Sequence, residues 1–328
     1  MIPPKDFFSV YIICRTYNQS RFIQDALDGF ASQRTDFPFL AAIIDDASTE
    51  GEQDVIDSYI TRNFGQGDDA YMERWETEDA RWIYARHNEN VNAYFLAILL
   101  KQNLFRNPKK NELIADWAKA KYFALCEGDD YWTDPLKLQK QVDFLEKNTD
   151  YALCFTNCQV SDGKRATIGN HYIWDTYTTK EMLLHNSLGV KKRKDLIVPP
   201  GHTSTVLYRR TGIPRPAWLS KCFIGDEPFF IYLSTFGKAK FINDVTSTYR
   251  QGVGVSSANF SFVQDDLKRI EMYKTIDKGL DYKYHGLISR EIIAEYYHSL
   301  VKRTYKQGEY FKAIRYSFGY LSNKLRLA

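Results

Sequence analysis

The sequence predicts an α/β fold, with a mostly parallel sheet that has helices on both faces and a helical segment at its C-terminus. Short apolar runs alternate with stretches of helical spacing through the first half of the chain, a pattern typical of βαβ units. Residues 65–79 interrupt this pattern with a polar stretch that predicts a surface loop. The predicted strands are residues 9–14, 39–44, 81–85 and 122–126, and the predicted helices are residues 20–33, 52–64, 92–105 and the stretch that follows Pro135.

Strands and helices continue in the second half without a linker, which predicts one continuous α/β domain. From Val263 onward the spacing is helical, and Gln307-Gly308 marks a junction between two helices. The predicted strands of this half are residues 151–160, 203–208 and 240–249, and the predicted helices are residues 178–185 and 229–235.

Composition excludes several classes of protein. The chain has 328 residues, of which 44% are hydrophobic and 26% charged, as in ordinary globular proteins. A net charge of +3 is too mild to indicate nucleic-acid binding. No stretch approaches the roughly 20 apolar residues of a membrane span, and the first residues lack the basic start and apolar core of a signal peptide. The odd count of five cysteines predicts a reduced, cytoplasmic protein.

Polar clusters follow all of the predicted strands in the first half. They are residues 15–18, 45–46, 87–90 and 127–130. Because parallel strands place their carboxyl ends at one edge of a sheet, we expect these clusters to line a single cleft. No glycine-rich phosphate loop follows the first strand, so a dinucleotide or P-loop site is disfavoured. A phosphate in this cleft would be held by a cation.

The acidic turn Glu127-Gly128-Asp129-Asp130 is the strongest candidate for such a cation site. Its carboxylates repel one another unless a cation joins them, and Mg²⁺ and Mn²⁺ are commonly shared between carboxylates and substrate phosphates. The residues therefore predict a metal–diphosphate site at Asp129 and Asp130. The alternative is that one of these acids only caps the turn and the following helix.

Five segments, in order, resemble the family 2 glycosyltransferases of the GT-A fold, over residues 9–257. The opening strand and helix and the second strand with its acid are similar to the first two family motifs. The acidic turn resembles the DxD region, with Glu127 at the usual first Asp. The segments are SVYIICRTYNQSRFIQDALDGFASQ, IIDDASTEG, LCEGDDYWTDPLKLQKQVDFLE, IGDEPFFIYL and STYRQGVGVSS.

The resemblance implies roles on the nucleotide side of the cleft. Asp46 is expected to hydrogen-bond the nucleotide base, with Arg15 and Tyr17 beside it. Asp129 is expected to contact the ribose or the metal, and Asp130 to be the main protein ligand of Mn²⁺ or Mg²⁺. Because Glu127 keeps the charge of the usual Asp on a longer side chain, it stays open which of these carboxylates binds the metal.

The later acidic segment carries the catalytic base in this family. The resemblance implies that Asp226 is that base, with Glu227 as the second choice. An alternative role for Asp226 is a helix N-cap, because Pro228 follows at a favoured first helical position. A carboxylate suits inverting transfer, in which the acceptor proton leaves late while the hydroxyl attacks.

Four further residues have both a functional and a structural interpretation. His202 is a candidate for contact with the diphosphate or the acceptor, against an idle loop histidine. Arg250 is a candidate for contact with the diphosphate, against a structural salt bridge. His87 is a candidate for the donor pocket, and Trp132 either stacks on an acceptor sugar or packs beneath the turn.

Residues 1–260 are expected to form the GT-A domain, with a nucleotide-sugar half (1–150) and an acceptor half (151–260), and residues 261–328 a helical extension. The last helix is basic and aromatic. It either lies on an anionic membrane or belongs to a hairpin packed on the domain, and the second interpretation is slightly favoured.

The resemblance implies a metal-dependent inverting glycosyltransferase. Its donor is expected to be a nucleoside-diphosphate sugar, with UDP as the default, and its acceptor a saccharide or lipid-linked saccharide. Two rivals remain: a sugar nucleotidyltransferase, which usually has a glycine-rich basic loop after the first strand, and a non-catalytic nucleotide- or saccharide-binding module.

Overall fold

A computed structural model of the chain describes residues 7–67, 70–105, 107, 109–162, 166–168, 172–191, 201–210, 212–253 and 261–325. Residues 254–257, the end of the last segment that carries the resemblance, lie outside these ranges.

One mixed sheet organises the fold, in the order β10-β12-β8-β11-β6-β1-β2-β5-β4-β3. Short β7 pairs with β12, and β9 with β8. The strands are β1 Val10–Thr16, β2 Phe39–Asp45, β3 Met72–Glu76, β4 Ala80–Arg86, β5 Ala93–Leu100, β6 Tyr122–Leu125, β7 Tyr131–Trp132, β8 Tyr151–Ser161, β9 Ala166–Ile168, β10 Thr176–Tyr177, β11 Val206–Arg209 and β12 Lys238–Arg250.

The centre of the sheet is parallel. Val10 of β1 lies opposite Phe39 of β2 and Tyr122 of β6, and β2 continues in parallel register to β5. The long pair β8 and β12 is also parallel. Strands β1, β2 and β6 therefore end at one edge, as the sequence predicts.

Helices cover both faces of this sheet, so the predicted fold class is confirmed. One apolar core lies under α1, α2 and α4, and the other lies under α5, α6 and the C-terminal helices. The helices are α1 Ile23–Ala31, α2 Glu52–Asn63, α3 Lys109–Ala115, α4 Lys137–Lys147, α5 Thr179–Lys191, α6 Asp226–Leu233, α7 Phe262–Gly279, α8 His285–Leu287, α9 Ala294–Lys306 and α10 Tyr310–Lys324. A π-helical segment, Ile288–Ile293, joins α8 to α9.

The prediction of a helix over residues 92–105 is wrong, because Ala93–Leu100 is the strand β5. All of its side chains are buried. Phe95 and Leu99 enter one core while Leu96 and Ile98 enter the other. A strand buried on both faces is apolar throughout and loses the alternation that separates strands from helices in a sequence.

The direction of β4 corrects a second expectation. This strand is antiparallel to β5, so its carboxyl end lies where β2 and β5 begin. The cluster 87–90 is therefore at the opposite edge of the sheet from the other three. Asn90 donates there to the carbonyls of Ala31 and Gln33, which precede β2. The polar cleft is built from three strand ends, not four.

The polar stretch 65–79 is also more regular than the predicted loop. Met72–Glu76 forms β3, the edge strand that pairs antiparallel with β4. Its half-exposed, charged side chains are typical of edge strands and carry little of the apolar signal that predicts a strand.

Phe95 provides a test of the β5 assignment. Its ring is fully buried and lies 4.4 Å from the ring of Phe64. We expect Phe95→Ala to lower the free energy of unfolding by about 3–5 kcal/mol, because the substitution leaves a cavity between the sheet and helices α1 and α2. Urea unfolding followed by circular dichroism measures this change. Val91→Ala is the control, since Val91 is 56% exposed and should change stability by about 0.5 kcal/mol or less. Equal effects of the two substitutions would contradict the burial of Phe95 that the position of β5 in the sheet requires.

Candidate active site

The acidic turn lies directly against the end of β1. The amide of Gly128 donates to the carbonyl of Arg15 at 3.1 Å. A Cβ atom at position 128 would collide with the hydroxyl of Thr16 and the amide oxygen of Gln19. Glycine is therefore required for this close approach, which carries the acids to the edge of the sheet.

Burial sets the electrostatics of the turn. Asp129 and Asp130 are 8% and 2% exposed. Burial, together with the charge of Glu127, raises the pKa of Asp130 to about 8. Burial also raises the pKa of Asp129 and of Glu127. Burial therefore makes it unfavourable for these three carboxyl groups to be ionised together.

Arg250, at the end of β12, clamps the turn. Its backbone amide donates to Asp130 at 2.9 Å, and its guanidinium donates to the carbonyl of Asp129 at 2.7 Å. The guanidinium also pairs with Asp25 on α1 and lies 4.4 Å from the centre of the Tyr131 ring. These contacts support a structural role for Arg250.

His202 lies beside the same acids. Its Nδ1 atom is 3.9 Å from a carboxylate oxygen of Asp130 and 3.0 Å from the hydroxyl of Ser204. Its ring is 4.3 Å from that of Tyr249. Burial lowers the pKa of His202 to about 4, so the imidazole is neutral at physiological pH. The structure therefore places His202 against the acidic turn.

Asp226 begins α6 and is exposed. Its charge is close enough to the cluster to contribute to the raised pKa of Glu127, after burial and Asp129. It also partly offsets the effect of burial on the pKa of His202. One carboxylate oxygen of Asp226 accepts from the amide of Glu227 at 2.8 Å, and the structure shows no other cap from this side chain to the first turn of α6. Asp226 is therefore an exposed acid whose charge reaches the acidic turn.

Glu227, in contrast, is buried in a network with the C-terminal helices. It pairs with Arg269 of α7 at 3.0 Å and accepts from the hydroxyl of Tyr273. Asn186 of α5 lies 3.4 Å away. A base must reach the proton that it removes. These contacts support a structural role for Glu227 and leave Asp226 as the accessible acid of the pair.

Asp46 lies at the end of β2, near the turn. Its amide donates to the carbonyl of Thr16, and its carboxylate accepts from the amide of Leu104 at 2.7 Å and pairs with Lys110 of α3. A nucleotide base that bonded Asp46 would compete with these two partners. The preceding Asp45 is held by Ser48 and Gln53, as a structural residue would be.

Arg15 and Tyr17 flank this region at the end of β1, where Arg15 is exposed and Tyr17 half-buried. Two other candidates do not line the cleft. His87 is at the opposite edge of the sheet, where its ring packs 4.8 Å from that of Phe64. Trp132 is buried, packs on Phe30 and donates to the carbonyl of Ser204, so it supports the turn from beneath.

Several residues of the site escaped the sequence analysis. Glu52, at the start of α2, is buried and accepts from Thr16, from the hydroxyl of Ser48 and from the amide of Gln19. Lys110 pairs with Asp46 across a long connection. Only Glu52 had a local signal, since it lies in the first helical turn, where acids are common.

The oxygen atoms of the acidic turn suit Mn²⁺ or Mg²⁺, although they do not form a complete coordination shell by themselves. The turn offers only oxygen ligands, from Glu127, Asp129 and Asp130, and these cations prefer oxygen. Within the described ranges, no three His, Cys, Asp or Glu side chains converge as a ready-made metal centre. That arrangement agrees with the usual Mg²⁺ pattern of one or two carboxylates completed by water and substrate phosphates.

Sequence comparison finds relatives for part of the chain. A stretch of 144 residues, 44% of this chain, is 39% identical to the uncharacterised protein Rv1520 of Mycobacterium tuberculosis, and covers 33% of it. The uncharacterised protein Mb1547 of Mycobacterium bovis matches equally well. The chain thus spans about a third of the length of these curated relatives. No protein-family model matches the chain.

Structural comparison is more extensive. Residues 1–349 of S. aureus TarS, in complex with UDP-GlcNAc, match with a TM-score of 0.58 and 15% identity, over 96% of this chain and 81% of that one. Another S. aureus TarS structure matches with a TM-score of 0.50 and 13% identity, over 96% and 55% of the two chains. The mannosyltransferase PcManGT of Pyrobaculum calidifontis, with GDP-Man and Mn²⁺, has a TM-score of 0.45 and 12% identity, over 98% and 74%.

The chain has a glycosyltransferase-like fold. Likeness at such low identity establishes the fold alone. In the part of the chain that the structure describes, no helix has the length and apolar character needed to cross a membrane.

The buried pair of Glu227 and Arg269 can be tested by stability measurements. Arg269→Met leaves a buried carboxylate without its cation, so we expect a loss of about 3 kcal/mol in the free energy of unfolding. Adding Glu227→Gln should restore part of that loss, because the uncompensated charge is removed. Urea unfolding measures both effects.

Lys274→Met is the matched control. It breaks an exposed pair with Glu271 on the same helix and should cost about 0.5 kcal/mol or less. If Arg269→Met costs no more than this control, the buried pair does not hold α6 to α7.

Proposed function

We propose that the chain is an inverting glycosyltransferase of family 2, which moves a hexosyl group from a nucleoside-diphosphate sugar to a hydroxyl of a saccharide or lipid-linked saccharide. The observation that carries the proposal is the meeting of two acidic elements at one edge of the sheet. The acidic turn 127–130 follows β6, and Asp226, at the start of α6, is close enough for its charge to raise the pKa of Glu127. Ligands of open α/β sheets bind outside the carboxyl ends of the strands, where these elements lie.

In this proposal residues 1–150 hold the donor and residues 151–260 face the acceptor. Asp46, Arg15 and Tyr17 line the nucleotide pocket, and the default nucleotide is UDP. Asp129 and Asp130 face the diphosphate and bind Mn²⁺ or Mg²⁺. A bound cation supplies positive charge for the leaving diphosphate. The raised pKa of Asp130, caused by burial and by Glu127, supports a turn that is completed by a cation.

Asp226 serves as the general base. It is accessible, whereas Glu227 is enclosed by Arg269 and Tyr273. Inverting transfer needs a base on one side of the sugar and the leaving group on the other. The acidic turn and Asp226 come from opposite halves of the chain, which suits that division of roles. A base of this kind removes the acceptor proton as the new glycosidic bond forms.

An acceptor that is part of a cell-surface polysaccharide, made at the cytoplasmic face of the membrane, fits this assignment. The chain supports a glycosyltransferase more than a sugar nucleotidyltransferase, because the connection after β1 is not a glycine-rich phosphate loop. It supports an enzyme more than a binding module, because Asp226 is an accessible acid beside the turn.

Nucleotide binding tests the donor site. We expect one of UDP, GDP and dTDP to bind in calorimetry with Mn²⁺ present and to bind about tenfold more weakly or not at all without it. Asp130→Ala should remove the metal-dependent part, because the mutant lacks a carboxylate at the diphosphate.

Asp143→Ala is the control, since Asp143 is an exposed acid of α4 away from the turn. Failure of the folded wild-type protein to bind any of the three nucleotides would contradict the donor site.

The base assignment is tested by turnover. With nucleotide sugar, Mn²⁺ and a panel of saccharide acceptors, Asp226→Asn should slow release of nucleoside diphosphate by about 10²–10⁴-fold, the usual contribution of a general base. Its nucleotide affinity should stay unchanged, because the residue faces the acceptor. Asp244→Asn, in a half-exposed pair with Lys140, is the control. Activity of Asp226→Asn within about twofold of the wild type would refute the assignment.

A further inference from the structure

The last helix, α10, exposes a continuous apolar stripe. Its members recur at intervals of three or four residues, so they lie on one side of the helix. Their exposed fractions are 91%, 56%, 69%, 47% and 71%, for Phe311, Ile314, Phe318, Leu321 and Leu325 in that order. Single exposed apolar residues are normal on protein surfaces, but an aligned set of five large ones is typical of an interaction site.

Another side of α10 already serves for packing. Ala313 is buried, the ring of Tyr316 lies 6.5 Å from that of Tyr297, and the ring of Tyr320 lies 5.4 Å from that of His298. Helix α10 thus has two apolar sides, one against α9 and one exposed. The sequence-based expectation of a packed hairpin holds for the side that contacts α9 and not for the stripe.

The surroundings of the stripe are strongly basic. Residues 301–325 contain a single acid, Glu309, against six cations: Lys302, Arg303, Lys306, Lys312, Arg315 and Lys324. Arg303 faces Asp266, Lys324 lies within 4 Å of Glu291 and Glu295, and Lys312 pairs with Glu309 at 2.8 Å, so these three are partly neutralised. Lys302, Lys306 and Arg315 are exposed. The charge around the stripe therefore complements an anionic surface.

We propose that α10 docks on the surface of a membrane that contains anionic lipids. The stripe enters the boundary between headgroups and acyl chains, and the neighbouring lysines and Arg315 contact lipid phosphates. An apolar side, basic flanks and too short a length to span a bilayer are the properties of a helix that lies in the interface. Each basic residue near an anionic surface adds to this attraction.

The charge around the stripe favours an anionic membrane over a second copy of the chain as its partner. Two stripes that met about a two-fold axis would bring two basic segments together, and like charges in contact oppose association. An anionic lipid surface meets the same segment with opposite charge. Only the lipid surface offers both an apolar interior for the stripe and negative charge for its basic flanks.

The test is binding to vesicles of phosphatidylcholine, with or without phosphatidylglycerol, measured by co-sedimentation without any nucleotide sugar. We expect binding to the anionic vesicles that weakens as salt screens the charges. Phe311→Ser/Phe318→Ser should reduce partitioning into the vesicles by roughly a hundredfold, because the two rings that would enter the bilayer are lost. Lys306→Gln/Arg315→Gln should reduce it by about tenfold or more.

Val91→Ser is the matched control, since it removes an exposed apolar side chain far from α10 in the sequence and should leave binding unchanged. All the substituted residues are exposed, so circular dichroism should show a native fold. The absence of binding to anionic vesicles at low salt would overturn the proposal. So would a dimer in light scattering that Phe311→Ser/Phe318→Ser abolishes, since a second copy would then be the occupant. Neither result bears on the proposed transfer, which is assayed separately with soluble acceptors.

Discussion

Repulsion among carboxylates in one buried turn is the constraint on which the rest of the site depends. Glu127, Asp129 and Asp130 follow β6 directly, and burial strengthens their repulsion because the protein interior screens charge poorly. Arg250 offsets part of this cost with a backbone bond to Asp130 and a guanidinium that also reaches Asp25. The clamp comes from the end of β12, so the second half of the chain holds together a turn built by the first.

The two acids at the start of α6 lie in different environments. Asp226 is exposed, whereas Glu227 is enclosed by Arg269 and Tyr273. Neighbouring carboxylates thus acquire different environments, which is how protein sites commonly divide roles between similar groups. The C-terminal helices take part in this division, because α7 supplies both partners of Glu227. Helix α10, at the far end of the same segment, presents its free apolar side to the surroundings.

Much of the site could be predicted because its signals are local. An apolar run that ends in Glu127-Gly128-Asp129-Asp130 identifies a strand end, and the collision expected at Gly128 explains why glycine stands there. The partners of these residues could not be predicted in the same way. The pairing of Lys110 with Asp46 and the tilted ring contact between His202 and Tyr249 join segments that are distant in sequence and have no shared pattern.

The sequence by itself determined the α/β class, most strands and helices, and the polar clusters at the ends of β1, β2 and β6, since periodicity and turn chemistry act over a few residues. Tertiary structure decided the rest. It made Ala93–Leu100 a strand, because a segment buried on both faces has no alternation to read, and it sent residues 87–90 to the opposite edge, because strand direction depends on pairing. It also decided which of Asp226 and Glu227 is accessible, because burial arises only when distant helices pack together.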